Sequence, residues 1–436
     1  MALTRNEPSP LAGVRVVDLS TTFMGPYCAM ILAQWGADVI KVEAPAGDVL
    51  RYVGDAKVPG MGPIFLNANR GKRSVALDLK DRAATDVFAR LVESADVLVH
   101  NLRPRAAANL GLTPERILAL NERLVYCAFC GFGSGGPYEN RPAYDDVIQG
   151  ASGMASVQGV NGGRPAYWGS AAADKTMGIF GAAAVLAALH GRAVTGRGRA
   201  IEVPMFESMA SFMLLEQQGG WIFDPPSGPT GYPRTESPYR KPFRTKDGFL
   251  AVMVYTDEQW RSFFTAIGEP ALADDPRYRT IGTRTVHIDE LYSLMDDHLT
   301  RRSTAEWQEI FERADIASSK VNAIQDLFDD EHLVATGFFE SVEHPSAGRL
   351  RMARPPVDMG DRATATLRHP PRLGEHSVEV ARELGYADAA IADLVGRGAL
   401  VDAATPSQDA AAVPGQDAAA PGQDAARAEE GHAPLQ

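Results

Sequence analysis

From Gly13 onward the sequence alternates short apolar runs with longer amphipathic stretches. GVRVVDLS is followed by GPYCAMILAQWGA and DVIKVEAP, and SVALDLK by DRAATDVFARLVESA, DVLVHNL and LVYCAFCGFG. Short apolar runs are typical of buried strands, and their alternation with helical stretches is typical of a parallel sheet covered by helices. The pattern predicts an α/β fold whose large domain is Rossmann-like.

The composition and periodicity of the sequence change after about residue 205, and this change predicts a second domain. DPPSGPTGYPRTESPYRKP is too rich in Pro and Gly for a helix or a central strand. FRTKDGFLAVMVY then reads as two strands, and DEQWRSFFTAIG and TAEWQEIFERA read as amphipathic helices. We predict a large domain over 1–205, a linker helix over 206–224, a smaller α+β domain over 225–325 and a return to the large domain over 326–401.

The end of the chain has low complexity. QDAA occurs three times after residue 402, beginning at Gln408, Gln416 and Gln423, among Ala, Pro and Gly. Such a segment has no apolar face with which to build a core, so 402–436 is predicted to be a disordered tail.

Charge and hydropathy narrow the classes of partner. The 43 Lys and Arg residues face 55 Asp and Glu residues, a formal charge of -12, which disfavours nucleic acid and anionic membranes as partners. Neither a signal peptide nor a membrane-spanning segment is expected from the sequence. The predicted location is the cytoplasm.

Several short motifs do not have the context that their chemistry needs. Cys127 and Cys130 form a CxxC inside a predicted strand, where residues three apart point to opposite faces, so buried thiols are expected. GFGSGG is followed by Pro137 and Tyr138 instead of an apolar helix, which disfavours a dinucleotide site. The sequence contains no HExxH, Walker lysine loop or GxSxG elbow, and no metal site is predicted.

Asp174 has the most distinctive position among the carboxylates. It lies in SAAADKTMGIFG, after small residues and directly before a long apolar stretch. One interpretation is a helix N-cap without further function. A carboxylate at a helix N-terminus is also expected to be ionised, and small neighbours leave room for a substrate, as a nucleophile requires.

Six separated segments resemble the family III CoA-transferases, the group of formyl-CoA and carnitine CoA-transferases. They are GPYCAMILAQWGADVIKVEAPAGD, NRGKRSVALDLK, DVLVHNLRP, GFGSGGPYENRPAYDDVIQGASG, AAADKTMG and LGEHSVEVARELGY, in the family's order between about Leu11 and Gly396. The resemblance implies that Asp174 is a covalent nucleophile and that two chains form an interlocked-ring homodimer. It also implies acyl-CoA and a carboxylic acid as substrates, with no permanently bound cofactor.

The same resemblance locates coenzyme A at the ends of the predicted strands. The implied contacts are Leu77, Lys80, Asn101, Leu102, Arg103, Arg141 and Tyr144. Carboxyl ends of parallel strands form the ligand crevice of open α/β sheets. A phosphate-binding cluster of positive charge is expected there from Arg70, Lys72, Arg73, Lys80, Arg103 and Arg105.

The sequence departs from the formyl-CoA transferases at four positions. Phe23, Ala44, Asn109 and Pro142 stand where those enzymes carry a Gln, two Arg and a Lys. Specificity for formyl-CoA and oxalate is therefore not expected, and the acids are predicted to be small mono- or dicarboxylates. The glycine-rich lid of those enzymes is replaced, at the nearest, by the loop around Gly228 and Gly231.

Two alternatives remain open at this point. An α-methylacyl-CoA racemase would share the fold and coenzyme A, but Tyr144 stands where racemases resemble one another in carrying a His, and a Tyr of ordinary pKa is a poor base. A non-catalytic CoA-binding subunit is the other alternative, against which the presence of Asp174 speaks.

Overall fold

The computed structural model describes residues 9–159, 163–358 and 368–404. The QDAA repeats lie outside the described residues, as does all of the predicted tail beyond Ala404. By its internal contacts the chain divides into two compact units. The first comprises 1–148, 171–208 and 340–436, and the second comprises 149–170 and 209–339.

A seven-stranded sheet forms the centre of the first unit. Its strands are β1 (Arg15–Asp18), β2 (Asp38–Glu43), β3 (Arg73–Leu77), β4 (Val97–His100), β5 (Val125–Cys130), β6 (Arg199–Pro204) and β12 (Leu400–Val401). The strand order is β12-β3-β2-β1-β4-β5-β6, with β12 antiparallel to β3 and every other pair parallel. The predicted α/β class with a large, mostly parallel sheet is confirmed.

Helices connect these strands and cover the sheet. In the first unit these are α1 (Met24–Gln34), α2 (Pro63–Ala68), α3 (Arg82–Glu93), α4 (Pro104–Asn109), α5 (Pro114–Leu120), α8 (Ala172–Thr195), α16 (Ser377–Glu383) and α17 (Asp388–Gly396). α6 (Asp145–Ala151) begins in the first unit, whereas α7 (Met154–Gln158) and most of α9 (Met205–Gln217) belong to the second. The apolar faces of α3, α5, α16 and α17 pack with the strands into one buried core.

The helix α8 packs closely on α1. A Cβ at Gly178 would lie 2.7 Å from Cδ1 of Tyr27 and 3.0 Å from the carbonyl oxygen of Met24, so glycine permits this approach. Because α1 follows β1, and α8 leads into the parallel strand β6, both helices begin at the carboxyl edge of the sheet. The first turn of α8 therefore lies beside the start of α1.

The second unit has its own small sheet and core. It contains α10 (Pro233–Glu236), β7 (Phe243–Arg244), β8 (Phe249–Met253), α11 (Asp257–Ala266), α12 (Ile281–Val286), α13 (Ile288–Leu299), α14 (Thr304–Arg313), β9 (Ala317–Lys320) and α15 (Glu331–Ala335). The strands pair antiparallel in the order β7-β8-β9. Its core is aromatic and includes Trp260, Phe263, Trp307 and Phe311.

The remaining elements are short. β10 (Phe339–His344) and β11 (Gly348–Ala353) form a two-stranded sheet, and 3₁₀ turns occur at Val49–Tyr52, Gly219–Ile222, Pro270–Asp274 and Ile324–Phe328. The second unit includes 149–170, which the sequence analysis placed in the large domain. The predicted domain boundaries stay a prediction.

No membrane-spanning segment was expected, but one helix among the described residues meets the length and composition criteria for such a segment. By length and composition α8 is long and apolar enough to span a membrane. Core helices of soluble proteins pass the same test, and Met177, Ala182 and Val185 of α8 are buried in the protein.

Candidate active site

The sheet has a topological switch point between β1 and β4, where the chain leaves neighbouring strands in opposite directions. In open α/β sheets ligands bind in the crevice at such a point. The side chain of Asn101 joins the two strand ends, since it accepts from the Thr21 N–H at 3.0 Å and donates to the Thr21 carbonyl at 2.8 Å. The crevice edge is thus fixed by an amide side chain.

Buried charged side chains form hydrogen bonds with the loop that follows β1. The Nζ of Lys41 donates to the Ser20 carbonyl at 2.8 Å, and Asp18 accepts from the Ser20 N–H at 3.0 Å. Lys72 pairs with Asp18 at 2.8 Å. Thr22 has a φ of 64°, which is rare for a β-branched residue and indicates a backbone held by its surroundings.

A second buried chain of hydrogen bonds ends β4. Nδ1 of His100 accepts from the Leu102 N–H at 3.3 Å, and Nε2 lies 2.6 Å from the Tyr126 hydroxyl, which donates to the Leu112 carbonyl at 2.7 Å. These partners require a neutral ring with its proton on Nε2. Burial lowers the pKa of His100 to about 4, in keeping with that neutral form.

Asp174 lies in the first turn of α8, at the carboxyl edge of the sheet. The helix begins at Ala172, its N-cap position is Ala171, and no side chain caps it there. The interpretation of Asp174 as an N-cap is wrong, because its carboxylate lies inside the first turn instead of before it. No hydrogen bond or ion pair of this carboxylate occurs among the described residues.

Asp145, the first residue of α6, binds the backbone of Asp174. Its Oδ1 accepts from the Asp174 N–H at 2.9 Å. Burial raises the pKa of Asp174, and the nearby charge of Asp145 raises it further, to about 7. Desolvation and a like charge thus act against the ionised form that was expected at the helix N-terminus.

The glycine-rich loop after β5 is occupied by the protein's own carboxylates. The backbone N–H groups of residues 133, 134 and 135 donate to Glu207 at 3.0 Å, Glu202 at 2.9 Å and Glu139 at 3.2 Å. Three carboxylates around one loop repel a phosphate. This geometry disfavours a dinucleotide site, in line with the sequence analysis.

The residues predicted to contact coenzyme A follow three strands at this edge. Leu77 is buried at the end of β3, and Lys80 is exposed three residues later. Asn101, Leu102 and Arg103 follow β4, about 14 Å away by the spacing of strands. Leu77 and Leu102 pack in or against the core, which leaves chiefly their backbone for a ligand.

The other two predicted contacts follow β5. The guanidinium of Arg141 stacks on the ring of Tyr138, 4.0 Å from its centre. Tyr144 is exposed and directly precedes Asp145, so its backbone lies one residue from the group that binds Asp174. The role of Tyr144 in binding coenzyme A stays a prediction.

Half of the predicted basic cluster serves the fold instead of a ligand. Lys72 is fully buried against Asp18, and Arg73 is buried against Asp38, 2.6 Å away. Arg70 is buried and donates to the Ala353 carbonyl. The exposed members are Lys80, Arg103 and Arg105. The expectation that all six residues form a phosphate-binding cluster is wrong for the buried three, because their charges are used inside the protein.

Two residues of the site were missed in the sequence analysis. Asp145 had a weak signal, an acidic pair directly before an apolar helical stretch in AYDDVIQG. His100 had another, a titratable residue at the last position of an apolar strand in DVLVHNL. Neither signal reveals the partner, which lies elsewhere in the chain.

Comparison with known proteins decides the family. Residues 11–377 match CoA-transferase family III. The chain belongs to CoA-transferase family III. It is an enzyme that transfers CoA, its substrates are CoA thioesters, and the acceptor is a carboxylate.

Named relatives are similar in sequence to this chain over most of their length. The family III chain is 33% identical to the succinate–glutarate CoA-transferase of Agrobacterium fabrum, over 87% of this chain and 96% of the relative. It is 30% identical to the formyl-CoA:oxalate CoA-transferase of Rhodopseudomonas palustris, over 89% and 97% respectively.

Solved structures show the same fold. A CaiB/BaiF family protein from Brucella suis superimposes with a TM-score of 0.72 at 28% identity, covering 87% of this chain and all of that chain. A hypothetical protein from Mycobacterium tuberculosis gives a TM-score of 0.73 at 27% identity, covering 86% and 100%.

Proposed function

We propose that Asp174 is the covalent nucleophile of this CoA-transferase. The observation that carries the proposal is a half-buried carboxyl without a cation partner among the described residues, at the carboxyl edge of the sheet. Other buried carboxylates of the first unit, such as Asp18 and Glu43, are paired with lysine or arginine, whereas the pKa of Asp174 is raised. Perturbed groups of this kind are typical of reacting residues.

The reaction proceeds by two acyl transfers and their reversal. An oxygen of Asp174 attacks the thioester carbon of the donor, the CoA thiolate leaves, and a mixed anhydride forms. The thiolate then attacks Cγ of Asp174, which releases the donor acid as a carboxylate and leaves an aspartyl-CoA thioester. The acceptor carboxylate attacks that thioester, and the thiolate finally attacks the acceptor acyl carbon and frees Asp174.

Asp145 orients this nucleophile and tunes its basicity. The hydrogen bond to the Asp174 N–H fixes the first turn of α8, and its charge keeps the pKa of Asp174 high. A carboxylate of higher pKa is the better nucleophile once it is ionised, and it is also the poorer leaving group from the anhydride. Attack of the thiolate on the anhydride then competes with simple reversal.

Coenzyme A lies along the carboxyl edge in this proposal. Lys80, Arg103 and Arg141 are exposed and offer positive charge, and Asn101 fixes the crevice. Tyr144 directly precedes Asp145, which binds the backbone of the nucleophile, and Leu77 and Leu102 offer chiefly their backbone because their side chains pack in or against the core. Binding energy from this long handle is remote from the reacting carbon and serves to orient it.

The acids are small mono- or dicarboxylates. Curated relatives are named for succinate and glutarate, and others for formate and oxalate. The replacement of four polar contacts by Phe23, Ala44, Asn109 and Pro142 favours the first group.

The enzyme is proposed to act as an interlocked-ring homodimer, as the family resemblance implies. Large apolar side chains are exposed on both units of the single chain. They include Ile179 and Phe180 on α8, Leu215 on α9, and Trp221 and Phe223 after it. Exposed apolar surface of this extent is typical of an interface.

An exchange assay tests the proposed function. Purified enzyme is incubated with succinyl-CoA and each of several free acids, and new acyl-CoA products are measured by mass spectrometry. Asp174→Asn should abolish exchange, because an amide cannot form the anhydride, while CoA binding persists. Normal exchange by Asp174→Asn would refute the role of Asp174.

A further inference from the structure

Arg234 is a buried arginine of the second unit with no carboxylate beside it. It lies on α10, in the Pro-rich segment, and only 7% of its surface is exposed. Among the residues that the structure describes, no carboxylate oxygen lies within ion-pair distance of its guanidinium. A buried cation without a counter-charge is costly, so its retention requires an explanation.

Another arginine of the same unit shows how such a group is normally accommodated. Arg284 is 3% exposed and pairs with Asp257. It also donates to the carbonyl oxygens of Tyr278 at 2.9 Å and Tyr255 at 3.3 Å. A buried guanidinium in this unit can therefore have both a counter-charge and carbonyl acceptors.

Arg234 has much weaker partners. Its Nη2 lies 3.5 Å from Sδ of Met253 and 3.5 Å from the Tyr292 hydroxyl. The distance to the Tyr292 hydroxyl is at the outer limit for a hydrogen bond, and a thioether such as that of Met253 is a weak acceptor. A guanidinium has five N–H donors, so most of those on Arg234 have no acceptor among the described residues.

The unused donors are open to solvent. Among the described residues, the side-chain atoms sealed from solvent without a partner do not include any nitrogen of Arg234. Its guanidinium carbon lies 4.9 Å from the ring centre of Tyr255, which is 48% exposed, and Met253 is 43% exposed. Donors of the Arg234 guanidinium therefore reach the protein surface beside an exposed aromatic ring.

We propose that Arg234 is the anchor of a binding site for the carboxylate of a small organic acid. The planar fork of a guanidinium matches the two oxygens of a carboxylate. A single weakly partnered guanidinium beside an aromatic ring suits one planar carboxylate group, whereas a phosphate ordinarily binds to several positive charges. That the acid is a substrate of this enzyme rests on the proposed function, but the site itself does not.

Calorimetry with the full-length protein tests the site. The probe is glutarate, with its uncharged isostere glutaramide as the matched ligand, and no CoA is added. Arg234→Gln should weaken glutarate binding at least tenfold, and Arg234→Lys, which keeps the charge but loses the fork, should have an intermediate effect. Arg244→Gln removes an exposed arginine of β7 in the same unit and should leave glutarate affinity unchanged.

Two results would overturn this proposal. One is equal glutarate affinity in the wild type and both Arg234 variants at unchanged melting temperature. The other is unchanged glutarate affinity with loss of the dimer in sedimentation, which would assign the carboxylate to a second copy of the chain. This result is separable from a test of the proposed function. If glutarate binding depends on Arg234, the site is supported even when the wild type transfers no CoA. If Arg234→Gln leaves glutarate binding unchanged, the site is refuted even when the wild type transfers CoA.

Discussion

Two buried carboxylates of the first unit differ in their partners and so in their chemistry. Glu43, at the end of β2, is held by Arg51, with Nη2 at 2.7 Å and Nε at 2.8 Å. Burial acts to raise the pKa of Glu43, but the charge and hydrogen bonds of Arg51 outweigh it and lower the pKa to about 2. Asp174 is less buried, has Asp145 beside it, and has a pKa raised to about 7.

The difference shows that burial alone does not decide the state of a carboxylate. Glu43 is ionised at every physiological pH and also accepts from Ser74 at 2.8 Å, so it is a structural group. The ionised form of Asp174 lies in a less favourable environment, because burial and the charge of Asp145 both raise its pKa. The same unit therefore contains one carboxylate whose ionised form the fold stabilises and one whose ionised form it disfavours.

Removal of the structural charge should have the largest effect on stability. Glu43→Gln leaves the guanidinium of Arg51 buried without its counter-charge, so we expect a loss of about 3–5 kcal/mol in the free energy of unfolding. Denaturant melts of the purified variant measure it. A loss below about 1 kcal/mol would mean that the ion pair of Glu43 and Arg51 contributes little to the stability of the fold.

Removal of the Asp174 charge should increase the stability of the folded protein. The pKa of Asp174 in the folded protein is above its ordinary value, so folding is favoured at low pH, and that stability is lost as pH rises from about 4 to 7. Asp174→Asn should stabilise the protein by about 1–2 kcal/mol above pH 7, after allowance for partial solvent screening, and much less at pH 4. Melting curves at both pH values check this, and a destabilised variant at pH 8 would contradict it.

His100, at the end of β4, is a buried neutral group that is held by hydrogen bonds. His100→Leu removes the acceptor for the Leu102 N–H and the donor to Tyr126, which frees the segment that is proposed to bind CoA. We expect roughly tenfold weaker binding of free CoA, with little change in kcat at saturation.

Matched variants sharpen the test of His100. Asn at this position can still accept from the Leu102 N–H, so His100→Asn should recover part of the affinity. Tyr126→Phe cuts only the far end of the chain and should have a smaller effect. Unchanged CoA affinity in a folded His100→Leu protein would show that the chain does not position the binding segment.

The smallest predicted effect concerns Asp145. Asp145→Asn keeps an oxygen for the Asp174 N–H but removes the like charge, so the pKa of Asp174 should fall. The acid limb of the kcat/KM profile, which reports ionisation of Asp174 in the free enzyme, should shift to lower pH by about half a unit to one unit. An unshifted limb would mean that burial alone raises this pKa.

Local sequence predicted most strands of the large sheet because their apolar runs are buried on both faces. β6 (RAIEVP) was missed because most of its residues are not buried, and β12 because two residues carry no pattern. The strand order was likewise not derivable, since it depends on which edges meet in space.

The candidate site was predictable only in part. Asp174 could be selected because small residues and an apolar helix surround it in sequence. Its neighbour Asp145 is 29 residues away, and the pairing of Lys72 with Asp18 spans 54 residues. Sequence therefore shows which residues carry charge but does not show which charges are neutralised inside the fold.

Trapping of the covalent intermediate tests the central claim most directly. Wild-type enzyme is mixed with succinyl-CoA, treated with hydroxylamine or borohydride, digested and analysed by mass spectrometry, with Asp174→Asn as the control. We expect a hydroxamate or a reduced side chain at Asp174 in the wild type alone. An unmodified Asp174 in an enzyme that exchanges CoA, or a label on another residue, would contradict it.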